Sequence, residues 1–129
     1  MSAGSPRKTR GEDAERRGRM AEQLCVVRLW LTGWRVLARR QTLPRGSGAG
    51  EIDIVARRGR TVAFIEVKAR VSEALALESV GPQQRERLQR GAAAFLAHRT
   101  DLSACDIRFD VMTLTGGWWP RRVADAWRP

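Results

Sequence analysis

Two carboxylates and a lysine in one short segment have the types and spacing of a metal-dependent site. Residues 50–70, GEIDIVARRGRTVAFIEVKAR, contain Asp53, Glu66 and Lys68. Two close carboxylates repel each other, and a cation such as Mg²⁺ or Mn²⁺ relieves that repulsion because it prefers oxygen ligands. The cation polarises phosphoryl oxygens and acidifies bound water, while a lysine can orient that water or stabilise charge on the phosphate. The chemistry indicated is hydrolysis of a phosphate ester.

A β-hairpin is the element that must bring these residues together. Residues 50–56 and 61–70 have strand-like patterns, and the intervening RRGR segment favours a short turn. A turn centred between its second Arg and the Gly pairs Asp53 with Phe64. Asp53 then lies diagonal to Glu66 on the same face, roughly 7–8 Å away, and a shift of one residue would separate them. The alternative is a solvated polar face, because acidic pairs are common on strands.

The rarity of lysine favours a special role for Lys68. The chain contains 22 arginines and only two lysines, Lys8 and Lys68. Arginine is planar and always charged, whereas lysine is a compact point charge with a tunable pKa. A lysine where arginine is the usual cation suggests that this position requires the ammonium group.

The composition restricts the class of protein. The 129 residues suggest a single domain, and the net charge of +10 favours an anionic partner such as nucleic acid. Two cysteines and one histidine, His98, exclude a disulfide-rich scaffold and a zinc site made only of Cys and His. The sequence shows no signal peptide and no membrane span, so we expect a cytoplasmic protein with reduced cysteines.

The predicted element order is α-β-β-β-α-β. Residues 1–17 are expected to be a disordered basic tail, and residues 18–129 the folded domain. A stripe of apolar residues predicts that the first helix is buried on more than one side and ends at Gly33. Gly81 and Pro82 open the second helix, and the chain ends in a Trp-rich tail. The residues of the apolar stripe are Met20, Leu24, Val27 and Leu31, widened by Val26, Leu29 and Trp30. The four strands are predicted at residues 34–40, 50–56, 61–70 and 106–114.

Several motifs together resemble a known family. The hairpin segment, the upstream AEQLCVVRLWLTGWRVLARR, the RFDV strand and the C-terminal WPRRVADAW resemble the YraN-like family of small bacterial proteins over about residues 18–128. That family is grouped with the restriction-endonuclease-like superfamily, close to archaeal Holliday-junction resolvases. The resemblance implies an α/β fold in which helices flank a mixed β-sheet. It also implies metal-dependent cleavage of DNA, with a preference for branched DNA, by an enzyme that acts as a homodimer.

The resemblance also assigns residues. The superfamily's first metal-binding acid falls on Asp53, and its second acid and lysine fall on Glu66 and Lys68. A further metal-binding glutamate falls on Glu22 in the first helix. From the sequence alone, Glu22 is equally well explained as an acid favoured by the helix dipole. Glu51 is either a supporting ligand or a solvated residue at the end of its strand.

Arginines near the hairpin are the candidate contacts to nucleic-acid phosphates, and an ordinary basic surface is the alternative. The candidates are Arg39, Arg40, Arg45, Arg57, Arg58 and Arg70. Trp118, Trp119 and Trp127 could stack on bases, but packing in a small core is favoured. Three functions remain open: a Mg²⁺- or Mn²⁺-dependent endonuclease acting on DNA, a non-catalytic nucleic-acid-binding module that retains the nuclease fold, and an assembly or scaffold protein that uses the Trp-rich end.

Overall fold

A five-stranded sheet with a helix on each face forms the described part of the protein. A computed structural model describes residues 6–40, 52–68, 80–114 and 119–127. The α/β class and the mixed sheet flanked by helices are confirmed, and the arrangement is consistent with a restriction-endonuclease-like fold. The elements, in chain order, are α1 (Pro6–Leu31), β1 (Arg35–Arg39), β2 (Ile54–Arg58), β3 (Thr61–Lys68), α2 (Pro82–Ala97), a 3₁₀ turn (Thr100–Leu102), β4 (Asp106–Thr113) and β5 (Arg121–Trp127).

The strands lie side by side in the order of the sequence, β1 to β5. The β3–β4 pair is parallel and the other three pairs are antiparallel. A parallel pair requires a long crossover, and α2 lies in the segment that connects β3 to β4. The sheet is therefore mixed because one connection contains a helix.

Alternate residues of β3 face two separate cores. Val62 and Phe64 belong to the apolar cluster that includes the α2 residues Leu88 and Phe95. Ala63 and Ile65 belong to a second cluster with α1, which supplies Cys25 and Leu29. Since neighbouring strand residues point to opposite faces, β3 must be apolar almost throughout, and its acidic residue is an exception that needs a reason.

The hairpin register differs from the predicted one by two residues. The pairs are Ile54 with Ile65 and Arg58 with Thr61, so the numbers of paired residues sum to 119 and not 117. The two-residue turn is Gly59-Arg60, and Gly59 has a φ of 60°, which suits a glycine at the first central position of a hairpin turn. A shift by two residues leaves every side chain on its predicted face. It moves Asp53 from the position diagonal to Glu66 to the position directly opposite Glu66.

Helix α1 differs from the prediction at its start and in its buried face. It begins at Pro6, within the segment expected to be a disordered tail, because residues 6–19 are rich in helix-forming Arg and Glu. The division into a tail and a domain stays a prediction. No helix among the described residues is long and apolar enough to cross a membrane. The stripe of Met20, Val27 and Leu31 is exposed, and over residues 18–31 the buried side of α1 consists of Ala21, Glu22, Cys25 and Leu29.

The predicted end of α1 at Gly33 is confirmed. Gly33 has a φ of 88°. The Trp34 N–H donates to Leu29 O at 2.9 Å, and the Gly33 N–H donates to Trp30 O at 3.2 Å. This is the hydrogen-bond pattern of a Schellman motif, and the accompanying apolar contact joins Leu29 and Trp34 in one core cluster. The helix end thus fixes Trp34 in the α1-side core.

The predicted order lacks one strand, because the segment expected to be a Trp-rich tail contains β5. Trp127 is only 7% exposed, and its ring stacks on Phe109 with 4.2 Å between centroids. The expectation that Trp127 packs in the core is confirmed. A bulge in β1 between Val36 and Ala38 also moves Ala38 to the α2-side core, although strict alternation predicts that it shares a face with Trp34.

Replacing Trp127 with alanine tests whether β5 belongs to the folded core. We expect Trp127→Ala to lower the free energy of unfolding by about 3–5 kcal/mol, because the change removes a large buried ring. The matched control is Trp30→Ala, at a position that is 73% exposed. This change should alter the free energy of unfolding by less than about 0.5 kcal/mol. Urea denaturation measures both, and equal losses would contradict the placement of β5.

Candidate metal and phosphoester site

Two carboxylates are buried side by side where β2 begins and β3 ends. Asp53 directly precedes β2 and is 5% exposed, and Glu66 in β3 is 4% exposed. The Val67 N–H donates to Asp53 Oδ2 at 2.8 Å, which holds the Asp53 side chain against β3. The structure therefore brings together the two acids that the sequence predicted to share a site.

Glu66 is the more perturbed of the two acids. Burial raises its pKa, and the negative charge of Asp53 raises it further, to about 8. The positive charges of Lys68 and Arg40 lower the pKa, but they do not offset these effects. Glu66 Oε2 is buried and has no hydrogen-bond partner among the described residues. Such an oxygen is costly to bury unless something binds to it, as a proton or a cation would.

Lys68 is held next to this pair. Its Nζ lies 3.5 Å from Glu66 Oε1 and 3.4 Å from Oε1 of Gln84, and its side chain is 11% exposed. Gln84 lies in the first turn of α2, which Pro82 opens as the sequence predicted. The ammonium group is thus positioned by β3 and α2 together, and the sequence analysis did not identify Gln84 as part of this site.

Arg40 forms an ion pair with Asp53. Its guanidinium contacts Asp53 Oδ1, and its backbone N–H donates to Asp53 O at 3.0 Å. The Arg40 side chain is 54% exposed, whereas that of Asp53 is 8% exposed. Arg40 was predicted to contact phosphate, and the structure places it beside the acid at the solvent-facing side of the site.

Glu22 lies in α1 and pairs with a different arginine. Glu22 Oε1 accepts a hydrogen bond from Arg39 Nε at 2.9 Å, and Arg39 also donates to Gln23 at 3.1 Å. Glu22 is 8% exposed, so the buried acid on α1 is explained by this pairing. Among the described residues, no group of three or more His, Cys, Asp or Glu side chains is arranged to hold a metal ion. The assignment of Glu22 as a third ligand stays a prediction.

Two further predicted arginines that the structure describes, Arg57 and Arg58, lie away from the acids. Arg57 donates to Gly59 O at 2.9 Å and Arg58 to Thr32 O at 3.2 Å, both near the far end of β2 from Asp53. At about 3.3 Å per residue, Arg58 lies roughly 16 Å along the strand from Asp53. Glu51, Arg45, Arg70 and Trp118 lie outside the described residues.

Asp110 is a buried acid that the sequence analysis did not place in the interior. Its side chain is fully buried, and it accepts hydrogen bonds from Arg108 Nε at 3.2 Å and Nη2 at 2.7 Å. The strand pattern could not reveal the burial, because the covering strand β5 had been missed.

Comparisons with known proteins identify close relatives over nearly the whole chain. The model for Uncharacterised protein family UPF0102 matches residues 21–114. A UPF0102 protein of Paramagnetospirillum magneticum is 50% identical over 115 residues, which are 89% of this chain and 89% of the relative. A UPF0102 protein of Parvibaculum lavamentivorans is 48% identical over 92% of this chain and 86% of its own length. One from Caulobacter vibrioides is 41% identical over 98% of both chains.

The raised pKa of Glu66 predicts a pH-dependent stability. Because folding raises this pKa from 4.5 to about 8, the native state binds a proton that the unfolded chain releases. The free energy of unfolding should therefore fall as the pH rises from about 5 to 8, by roughly 1–4 kcal/mol. Glu66→Gln, which cannot ionise, should flatten this profile in urea denaturation experiments.

The control for this experiment is an exposed glutamate of α2. Glu86 lies on the solvent side of that helix, so Glu86→Gln should leave the pH profile unchanged. If the wild-type and Glu66→Gln proteins lost stability in parallel between pH 5 and 8, the ionisation of Glu66 could not be the cause of that loss.

Proposed function

The chain belongs to the UPF0102 family, the YraN-like family that its motifs resemble, and we propose that it is a metal-dependent endonuclease that hydrolyses phosphodiester bonds in DNA. The observation that carries the proposal is the buried pair of Asp53 and Glu66 with Lys68 at 3.5 Å. A protein that needed only a stable core would not bury two adjacent carboxylates, because the desolvation of both is unfavourable. Their retention on apolar strands favours a role in binding a cation.

The residues present fit a hard divalent cation. Glu66 Oε2 is a buried oxygen with no hydrogen-bond partner among the described residues, and Asp53 supplies a second carboxylate beside it. Mg²⁺ is commonly bound by one or two carboxylates, with water and substrate phosphate completing its coordination. Asp53 and Glu66 would hold Mg²⁺ or Mn²⁺, which supplies Lewis-acid polarisation of the phosphate when bound. Glu22 remains the candidate for a further ligand.

Lys68 has the position required to act on the reacting groups. Its contacts with Glu66 and Gln84 hold the ammonium group at the site, and within the described residues they leave its third N–H bond available. In the hydrolysis, water attacks phosphorus, one P–O ester bond breaks, and the proton lost by the water balances the proton gained by the leaving alcohol oxygen. Lys68 would orient that water or stabilise the charge that develops on the phosphate.

Arg40 would exchange partners when substrate binds. A cation between the carboxylates would replace the positive charge that Arg40 brings to Asp53. The long, half-exposed Arg40 side chain could then turn outward and pair with a phosphate, for which its planar fork is suited. This assigns Arg40 to DNA contact, as the sequence suggested, and makes it a neutralising partner of Asp53 when no metal is bound.

The rival function is a nucleic-acid-binding module that keeps the fold without turnover. Two observations favour it: Arg40 already neutralises Asp53, and no third acidic ligand joins the pair among the described residues. Both functions use the chain's net charge of +10 to bind a polyanion.

The proposal includes a cytoplasmic location, where DNA is accessible, and a homodimer that cuts both strands, with a preference for branched DNA.

Cleavage assays with a charge-removing variant distinguish the two functions. We expect the wild-type protein to cut four-way or flapped DNA with Mn²⁺ or Mg²⁺, and Asp53→Asn to cut at least about 100-fold more slowly. Asp53→Asn should still bind the same DNA in EDTA, because asparagine has nearly the same shape as aspartate and the change removes a negative charge. Lys68→Ala should also cut about 100-fold more slowly, with metal binding intact.

The matched control is Asp106→Asn, at an exposed aspartate at the start of β4. It should cut at the wild-type rate. Tight DNA binding without cleavage of linear, flapped or four-way substrates with any divalent metal would support the binding module. Equal cleavage by the wild-type and Asp53→Asn proteins would reject the assignment of this site.

A further inference from the structure

A second cluster of charged residues lies on the opposite face of the sheet, around Trp34. The guanidinium carbons of Arg58, Arg122 and Arg108 lie 4.8, 5.0 and 5.3 Å from the centre of the Trp34 ring. Because all three carbons lie about 5 Å from the same point, any two of them are at most about 10 Å apart. We call these residues, together with Arg28, the arginine cluster.

The fold fixes the aromatic centre of the arginine cluster. Trp34 is 2% exposed and is held by the Schellman motif that ends α1. Its indole Nε1 is buried and has no hydrogen-bond acceptor within the described part of the chain. An N–H group in this condition is uncommon in folded proteins and is a donor that an anionic ligand could use.

The arginines come from four elements. Each has an anchoring partner, but the arginines do not each have a carboxylate of their own. Arg28 of α1 donates to Pro120 O at 2.8 Å, and Arg58 of β2 donates to Thr32 O at 3.2 Å. These partners are neutral carbonyl groups. Arg108 of β4 makes the bidentate pair with Asp110, whereas Nε of Arg122 in β5 is 4.0 Å from the same carboxylate.

Positive charge therefore exceeds negative charge at this place. The four guanidinium groups and the Asp110 carboxylate together carry a net charge of +3. Burial lowers the pKa of Arg122, and the nearby positive charges of Arg108, Arg58 and Arg28 lower it further, while Asp110 acts in the opposite direction. Stacking on an indole ring accounts for one or two cations, but it does not relieve the repulsion among four.

We propose that the arginine cluster and the Trp34 indole N–H form a binding site for phosphate groups that together carry at least two negative charges. Planar guanidinium forks bind phosphate oxygens in pairs, and a di-anionic group would relieve the like-charge repulsion. Arg58 is exposed, and the side chains of Arg108 and Arg122 are 24% and 19% exposed, so solvent reaches the cluster. The phosphate belongs either to a nucleic-acid backbone or to a small phosphate compound.

This site is separate from the carboxylate site. Arg58 and Asp53 stand near opposite ends of β2, and Trp34 belongs to the core cluster on the α1 side of the sheet, whereas Val55 and Phe64 face α2. A phosphate bound by the arginine cluster could not be the one that Asp53 and Glu66 act on. The inference therefore does not depend on hydrolysis and can be tested without a divalent metal.

The indole N–H of Trp34 is a direct reporter of binding. In ¹⁵N-labelled protein with EDTA, inorganic pyrophosphate should move the Trp34 indole resonance saturably, while sodium chloride at equal ionic strength should not. Arg58→Gln should weaken the apparent affinity at least about tenfold, because it removes an exposed phosphate-binding fork. Arg58→Lys should bind with intermediate affinity, since it keeps the charge and loses the fork.

The control is Arg90→Gln, an equal loss of charge at an exposed position of α2, which should change the affinity less than twofold. A short DNA duplex that moves the same resonance, and does so more weakly with Arg58→Gln, would identify the source as a nucleic-acid backbone. A response to pyrophosphate alone would identify a small phosphate compound. No saturable movement with either probe, or equal weakening by Arg58→Gln and Arg90→Gln, would overturn the proposal.

Discussion

The burial of two adjacent carboxylates is the constraint around which this structure is arranged. Asp53 and Glu66 are both nearly inaccessible, and each needs compensation for the loss of water. The protein supplies it through the Val67 N–H, the ion pair with Arg40, the ammonium group of Lys68 and a raised pKa at Glu66. These compensations are incomplete, because Glu66 Oε2 has no partner among the described residues. That buried oxygen, which a proton or a cation would satisfy, is the physical basis for expecting a metal ion.

The same constraint explains what the strands and helices contribute. The hairpin sets the face and separation of the acids, and α2 presents Gln84 to Lys68. On the other side of the sheet, the end of α1 fixes Trp34 and β5 brings Arg122 to it. The sheet thus separates a site of two buried carboxylates from a site with excess positive charge. A polyanionic substrate could bind at both sites, since a metal ion coordinates phosphate oxygens and arginine donates hydrogen bonds to them.

The sequence predicted the face of each acid but not the hairpin register. Turn composition left the centre of the turn ambiguous by one residue, which shifts the pairing by two, and an even shift preserves the face. The buried side of α1 was mispredicted because apolar periodicity marks a stripe without saying whether it faces the sheet, and Met20, Val27 and Leu31 are exposed. The pairings of Arg40 with Asp53 and Arg39 with Glu22 depend on contacts between distant segments, which local patterns do not contain. Strand β5 was missed because its residues were interpreted as part of a Trp-rich tail.

A titration of the Glu66 side-chain carboxyl carbon by ¹³C NMR, with and without Mg²⁺, would show whether the two buried acids are coupled and hold a cation. Without metal, the midpoint should lie well above the ordinary value of 4.5, near 8, because burial and Asp53 oppose ionisation. With saturating Mg²⁺, the midpoint should fall by more than one pH unit, since the cation competes with the proton for the same oxygens. A midpoint near 4.5 that Mg²⁺ does not change would contradict both the coupling of the two acids and their role in holding a metal.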